Sequence, residues 1–329
     1  MRALSPLNLT LAALAAIFIA LSLFTGPADI APGDALPALF SDQGALTAIM
    51  REIRLPRALA AFLAGACLGA AGAGLQGLLR NPLADPGVLG VSAAAALGAV
   101  VALYFNLAAL AFWMTPAFAI FFALGATALL YTLGAGRAST ARLILIGVGI
   151  SSFCGALISL AMNLSPNPFA LSDLINWMFG TVANRSFHDL ALAAPFALGG
   201  FSLLLAAAPG LLALTLGEET AASLGADLKR TRMFVVAGAA LLVGASVSVA
   251  GAIGFVGIVA PHLARALSGQ HPARILIPSA LIGGVMLIGA DLVIRLLPFD
   301  QELKLGVAAA LIGAPAFIAV AMSSRRIAS

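Results

Sequence analysis

Ten nearly continuous apolar runs, each close to the twenty or so residues that carry a helix across a hydrocarbon core, divide this chain from end to end. They fall at residues 7–25, 57–79, 88–105, 109–133, 143–163, 189–209, 231–250, 253–268, 275–297 and 303–323. Charged residues make up 9% of the chain and hydrophobic residues 62%, whereas a soluble domain carries about 25% charged residues. The solvent is therefore lipid, and the sequence predicts an all-α, polytopic membrane protein with about ten transmembrane helices. No hydrophilic domain or low-complexity linker interrupts residues 1–329, so the chain reads as a single transmembrane domain. The shortest run, 253–268, is expected to meet its predecessor through a tight turn at Gly251. The first run follows one arginine, as a signal peptide would, but it is long for that role and no small-residue cleavage site precedes Asp29.

Orientation follows from the basic residues, which concentrate in cytoplasmic loops. With the N-terminus inside, Arg2, Arg80, Arg137, Arg142, Lys229, Arg230, Arg232, Arg265, Arg274, Arg325 and Arg326 are cytosolic, 11 of the 17. Arg51, Arg54, Arg57, Arg185, Arg295 and Lys304 fall outside, together with Asp29, Asp34, Asp42, Asp300 and Glu302. Both termini are expected in the cytosol.

Small residues recur every four positions in the second run, at Gly65, Gly69, Ala73 and Gly77, a spacing that lets another helix backbone approach closely. Shifting residues 63–82 by 179 matches Gly65, Gly72 and Pro82 to Gly244, Gly251 and Pro261, the trace of an inverted repeat of the kind transporters use. Ionisable groups inside the runs are scarce, which weighs against a proton-coupled carrier. Asp291 is the main exception, and Arg295, four residues on, shares its helical face; a local ion pair near the outer end is expected. Cys67 and Cys154 lie inside runs and read as reduced packing residues.

The densest polar stretch, TLGEETAASLGADLKRTR (215–232), lies between two long runs and reads as a short amphipathic helix at the membrane face. No Gly-x-x-x-x-Gly-Lys-Ser/Thr phosphate loop is present, because neither lysine, Lys229 or Lys304, follows a glycine. The chain is not expected to hydrolyse ATP by itself.

Several segments together carry a resemblance: Arg54 with LPRALAAFLAGACLGAAGAGLQGLLRNPLADPGVLGVS (55–92), GEETAASLGADLKRTR (217–232), GAIGFVGIVAPHLARALSG (251–269), ADLVIR (290–295) and ELKLGVAAALIGAPAFI (302–318). The chain resembles the permease subunits of type II ABC importers for ferric siderophores, haem and cobalamin, in register over most of residues 50–320. It departs from them at Leu305, usually Pro, and near Ala316, more often a larger residue. The resemblance implies a ten-helix subunit that pairs with a second permease, homo- or heterodimeric, with two cytosolic ATPase subunits and one periplasmic binding protein. It implies no cofactor on this chain, ATP and Mg belonging to the ATPases, and no nucleic-acid partner.

By that resemblance, Glu218, Glu219, Ala222, Leu224, Gly225 and Asp227 couple the permease to the ATPase. Acids that open a helix and a glycine that ends it suit such a piece. Arg54, Arg57 and Arg295 correspond to positions that receive acidic residues of the binding protein. Asn81, Pro82, Asp85 and Pro86 stiffen an inner loop and are gate candidates; Gln76, Trp177, Met178 and Phe179 are pathway candidates. His262 reads as a helix-end histidine with a structural hydrogen bond.

The expected function is therefore that of a bacterial inner-membrane permease working by alternating access, with ferric siderophore the leading cargo and haem or cobalamin open. No tyrosine, histidine or methionine cluster points to haem ligation. A secondary carrier would need an intramembrane coupling site. A membrane enzyme would need convergent catalytic groups, and His188, His262 and His271 sit in different segments.

Overall fold

A helix occupies each of the ten runs. The structure, a computed structural model, describes residues 5–26, 28, 30–40, 44–87, 89–133, 140–269, 271–298 and 302–324; Arg2, Asp29, Asp42, Arg137, Asp300, Arg325 and Arg326 lie outside these. In chain order the helices are α1 (Pro6–Phe24), α2 (Pro32–Phe40), α3 (Ala45–Leu79), α4 (Val91–Tyr104), α5 (Met114–Leu133), α6 (Thr140–Asn163) and α7 (Pro168–Met178). They continue as α8 (Phe187–Leu214), α9 (Glu218–Ser223), α10 (Leu228–Ala250), α11 (Val256–Ser268), α12 (Pro272–Leu296) and α13 (Leu305–Ser324). Seven of the described helices are long and apolar enough to cross a membrane, α4 and α13 supply shorter apolar segments, and α11 is a short helix of 13 residues.

Small side chains decide which helices stand at the centre. Gly65 and Gly69 of α3 abut the Gly283 and Ser279 carbonyls of α12, so a methyl at either position would strike backbone. Gly72, absent from the four-residue stripe, meets the Gly257 carbonyl of α11 in the same way. Without side chains between them, backbones reach the close approach that replaces a hydrophobic driving force in lipid. As a result α3 is buried over 83% of its apolar window, whereas α6 is buried over 17%. Thus α3, α10 and α12 form the post, and α1, α6 and α8 face outward.

The repeat register is corrected. A shift of 179 sets the unbroken helix at 63–79 against residues 242–258, where α10 ends at Ala250 and an extended stretch precedes α11. The shape recurs instead 165 residues apart: a long helix, a break, then a short helix starting at Val91 or Val256. Each short helix is entered through a left-handed residue, Gly90 (φ 78°) or Phe255 (φ 67°). Gly74 packs near Val235 while Ser246 donates to the Ala64 carbonyl, so α3 and α10 run antiparallel and the two units are inverted.

Candidate functional site

The polar turn between α8 and α10 forms the predicted helix, α9, bounded by Gly217 (φ 98°) and Gly225 (φ 82°), conformations that cost glycine little. Ala226 and Leu224 N–H groups return to the Ala221 and Thr220 carbonyls and close its C-terminal end. Ala221 is fully buried and pins α9 to the helices beneath, leaving Glu219, Ala222 and Leu224 outward. Glu218 pairs with Arg232 at 2.8 Å, and Asp227 caps α10 by accepting from the Arg230 N–H at 2.9 Å. Those two acids brace the turn. Leu224 and Leu216 stand 67% and 59% exposed in a charged surrounding, an apolar knob suited to a groove in a partner. Leu216 was missed in the sequence because it lies inside the polar stretch 215–232, one residue before the segment 217–232 that carries the resemblance.

At the opposite ends of the helices the three arginines gather as expected, but bonded within the chain. Arg54 is buried and donates to the Leu23 carbonyl at 2.7 Å and to the Ala28 carbonyl. Arg295 donates to the Ser22 and Thr25 carbonyls at 3.1 and 2.7 Å. Together they satisfy the orphan carbonyls at the end of α1, which lipid cannot. Arg295 also pairs with Asp291 at 3.0 Å, the local pair predicted from the sequence. Arg57 reaches across from α3 to Asp291 at 2.7 Å and to Glu302 in the α12–α13 connection. This cross-helix bridge has no local sequence signal, since its members are more than 230 residues apart.

The inner loop is tied down on three sides. Asn81 Oδ1 accepts from the Leu83 N–H at 2.9 Å and Asp85 Oδ1 from the Gly87 N–H at 2.7 Å, two side-chain turns. Pro86 is buried and Pro82 exposed. Ser151 of α6 donates to the Gly87 carbonyl at 2.9 Å. Burial beside Gly257 pushes the Asp85 carboxyl above its usual range, offset in part by the Gly87 N–H. Gln76 does not face open space: it is 3% exposed, and its Nε2 donates to the Ala84 and Gly257 carbonyls at 3.2 Å. Its amide ties the loop to α11. His262 has no hydrogen bond among the described residues.

Trp177 and Met178 are half-buried and Phe179 is exposed at the end of α7. Just beyond, three glycines form a backbone junction. The Thr181 N–H donates to the Ala250 carbonyl at 2.8 Å and the Gly306 N–H reaches the Gly180 carbonyl at 3.4 Å. Gly251 (φ 72°) lies against the Trp177 carbonyl, and Gly306 against the Phe179 and Ala252 carbonyls. The end of α7, the break after α10 and the start of α13 therefore meet without side chains between them.

Comparison with known proteins places this geometry. The FecCD transport family profile matches residues 14–323. The chain is 39% identical over 319 residues to the vitamin B12 import system permease protein BtuC of Klebsiella pneumoniae, covering 97% of this chain and 93% of that one. It is 40% identical over 291 residues to the uncharacterized ABC transporter permease protein YvrB of Bacillus subtilis, covering 87% and 82%. A solved structure of a metal-chelate type ABC transporter in an inward-facing conformation superposes with a TM-score of 0.84 at 30% identity, covering 96% of this chain and 98% of that one.

Proposed function

This chain belongs to the FecCD transport family and is a permease subunit of a type II ABC importer, not itself an enzyme, and from that premise we propose that it imports a bulky metal chelate, cobalamin foremost. Near end-to-end coverage at 39% identity with a vitamin B12 permease carries the cargo assignment. This reading puts cobalamin ahead of the ferric siderophore that led in the sequence analysis. Ferric siderophore stands second, favoured by the metal-chelate type structural neighbour.

The chain lies in a bacterial inner membrane with both termini in the cytosol. It pairs with a second permease, two ATPases that bind ATP and Mg, and a periplasmic binding protein. The ATPase pushes on Glu219, Ala222 and Leu224, with Glu218, Gly225 and Asp227 holding the turn in shape. The binding protein docks on the rim braced by Arg54, Arg57 and Arg295. Their guanidinium groups are committed inside the chain, so an acid on the binding protein reaches Arg57 by displacing the half-exposed Glu302. Asn81, Pro82, Asp85 and Pro86 form the inner gate region, and Trp177, Met178 and Phe179 the outer one. Asp291 is 1% exposed and closed between two arginines, a structural ion pair that weighs against its use as the coupling carboxylate of a secondary carrier.

Reconstitution with the cognate ATPase and binding protein in liposomes tests the reading. Expected is ATP-dependent accumulation of radiolabelled cobalamin that disappears without the ATPase. Accumulation driven by a proton gradient alone would overturn the importer mechanism; uptake of a ferric hydroxamate but not cobalamin would reassign the cargo.

A further inference from the structure

We propose that a crevice at the inner ends of α1, α8 and α12 holds an anionic phospholipid of the cytosolic leaflet, headgroup on Arg274 and acyl chain between the helices. The inference rests on the orientation given above, which places these helix ends in the cytosol. The cavity measures about 1080 Å³ and lies among helices whose outer faces meet lipid, α1 and α8 each being buried over 28% of their windows.

Polar groups stand at its mouth and mostly apolar ones within, buried Asn8 of α1 being the polar exception on the wall. On α1, Ser5 stands at the mouth and Leu7 just within; on α12, Arg274 stands at the mouth and Ile277 a turn deeper. The α8 wall is apolar throughout, Leu205 lying two turns above Leu212. A polar rim over an apolar shaft fits a molecule with a charged head and a hydrocarbon tail, and does not fit a free ion.

The charge at the rim has the right sign and is available. Arg274 is exposed and has no ion pair or hydrogen-bonded side-chain partner among the described residues, whereas Arg232 pairs with Glu218 and Arg230 lies over the Phe234 ring. No carboxylate lines the cavity. The first turn of α12 opens there with no side-chain cap at His271, and although Pro272 has no N–H and the Arg274 N–H donates to the His271 carbonyl, the helix N-terminus still adds partial positive charge. Basic pockets between transmembrane helices on the cytosolic side are suited to anionic headgroups.

The test uses the full-length permease, purified in detergent with its ATPase. Phosphatidylglycerol and phosphatidylethanolamine with matched acyl chains are supplied in equal amounts, and retained lipid is counted by native mass spectrometry. Phosphatidylglycerol should be preferred about fivefold, the ratio that one surface arginine contributes. Arg274→Glu should abolish the preference, while Lys229→Glu, at an exposed cation outside the crevice, should preserve it. Ile277→Trp should lower retention by filling the shaft, and millimolar inorganic phosphate should displace nothing. If Arg274→Glu fails to assemble, Arg274→Gln reads the same ratio. Equal retention of both lipids, equal loss in the Arg274 and Lys229 variants, or displacement by phosphate would each overturn the proposal. None of these readouts depends on transport, so the cargo assignment stands or falls separately.

Discussion

Arg57 shows how one side chain can bind three pieces of a membrane protein at once. It bridges α3, the end of α12 through Asp291 and the following connection through Glu302, and the two carboxylates are not equivalent. Asp291 is sealed, so removing Arg57 leaves a buried charge with one partner fewer; a broken buried pair costs about 3–5 kcal/mol. Glu302 is 43% exposed in its side chain, and such a pair contributes about 0–1 kcal/mol. Arg57→Ala should therefore lower the thermal inactivation midpoint of the purified permease markedly, and Glu302→Ala hardly at all. Equal effects would mean that Asp291 does not need Arg57. The sequence disclosed half of this arrangement. The i, i+4 spacing of Asp291 and Arg295 is a local signal, but nothing local shows that Arg57 completes it or that Arg54 closes the end of α1. Those partners are set by which helices become neighbours.

Among the elements, the boundaries of the apolar runs were legible because hydrophobicity alone fixes where a helix must lie in lipid. Neighbour choice was legible only where glycines force it: Gly65 and Gly69 gave away a close helix, while Gly72 was read only as a repeat position because it falls outside the four-residue stripe. The repeat was visible in composition and wrong in register, since alanine- and glycine-rich helices align at many shifts. What fixes the register is backbone geometry, the left-handed entries at Gly90 and Phe255. A methyl has opposite meanings at two glycines of this bundle. At Gly65 it strikes the Gly283 carbonyl, whereas at Gly125 of α5 it meets nothing within 4 Å. Gly65→Ala should prevent recovery of folded permease, and Gly125→Ala should be tolerated or raise stability by up to ~1 kcal/mol, the helix-propensity difference. Monodispersity in size-exclusion chromatography after solubilisation reads both, and normal recovery of Gly65→Ala would show that α3 and α12 can separate without harm.

For the whole molecule, α9 marks one face and the arginine rim the other, and this asymmetry can be checked without transport. The native thiols are silent reporters, Cys67 being fully buried and Cys154 nearly so. Ser223 of α9 and Asn176 of α7 are both exposed. Ser223→Cys should react with a membrane-impermeant maleimide only in inverted vesicles, and Asn176→Cys only in right-side-out ones. The reverse pattern would turn the molecule over and, with it, the assignment of α9 to the ATPase. Where Gly180, Gly251 and Gly306 meet, three chain segments touch through main chain alone. Every polypeptide has the same main chain, so neighbouring side chains can diverge freely without loosening that seam. Descendants that acquire a different passenger can inherit this junction unaltered and need change only the surfaces that select what enters.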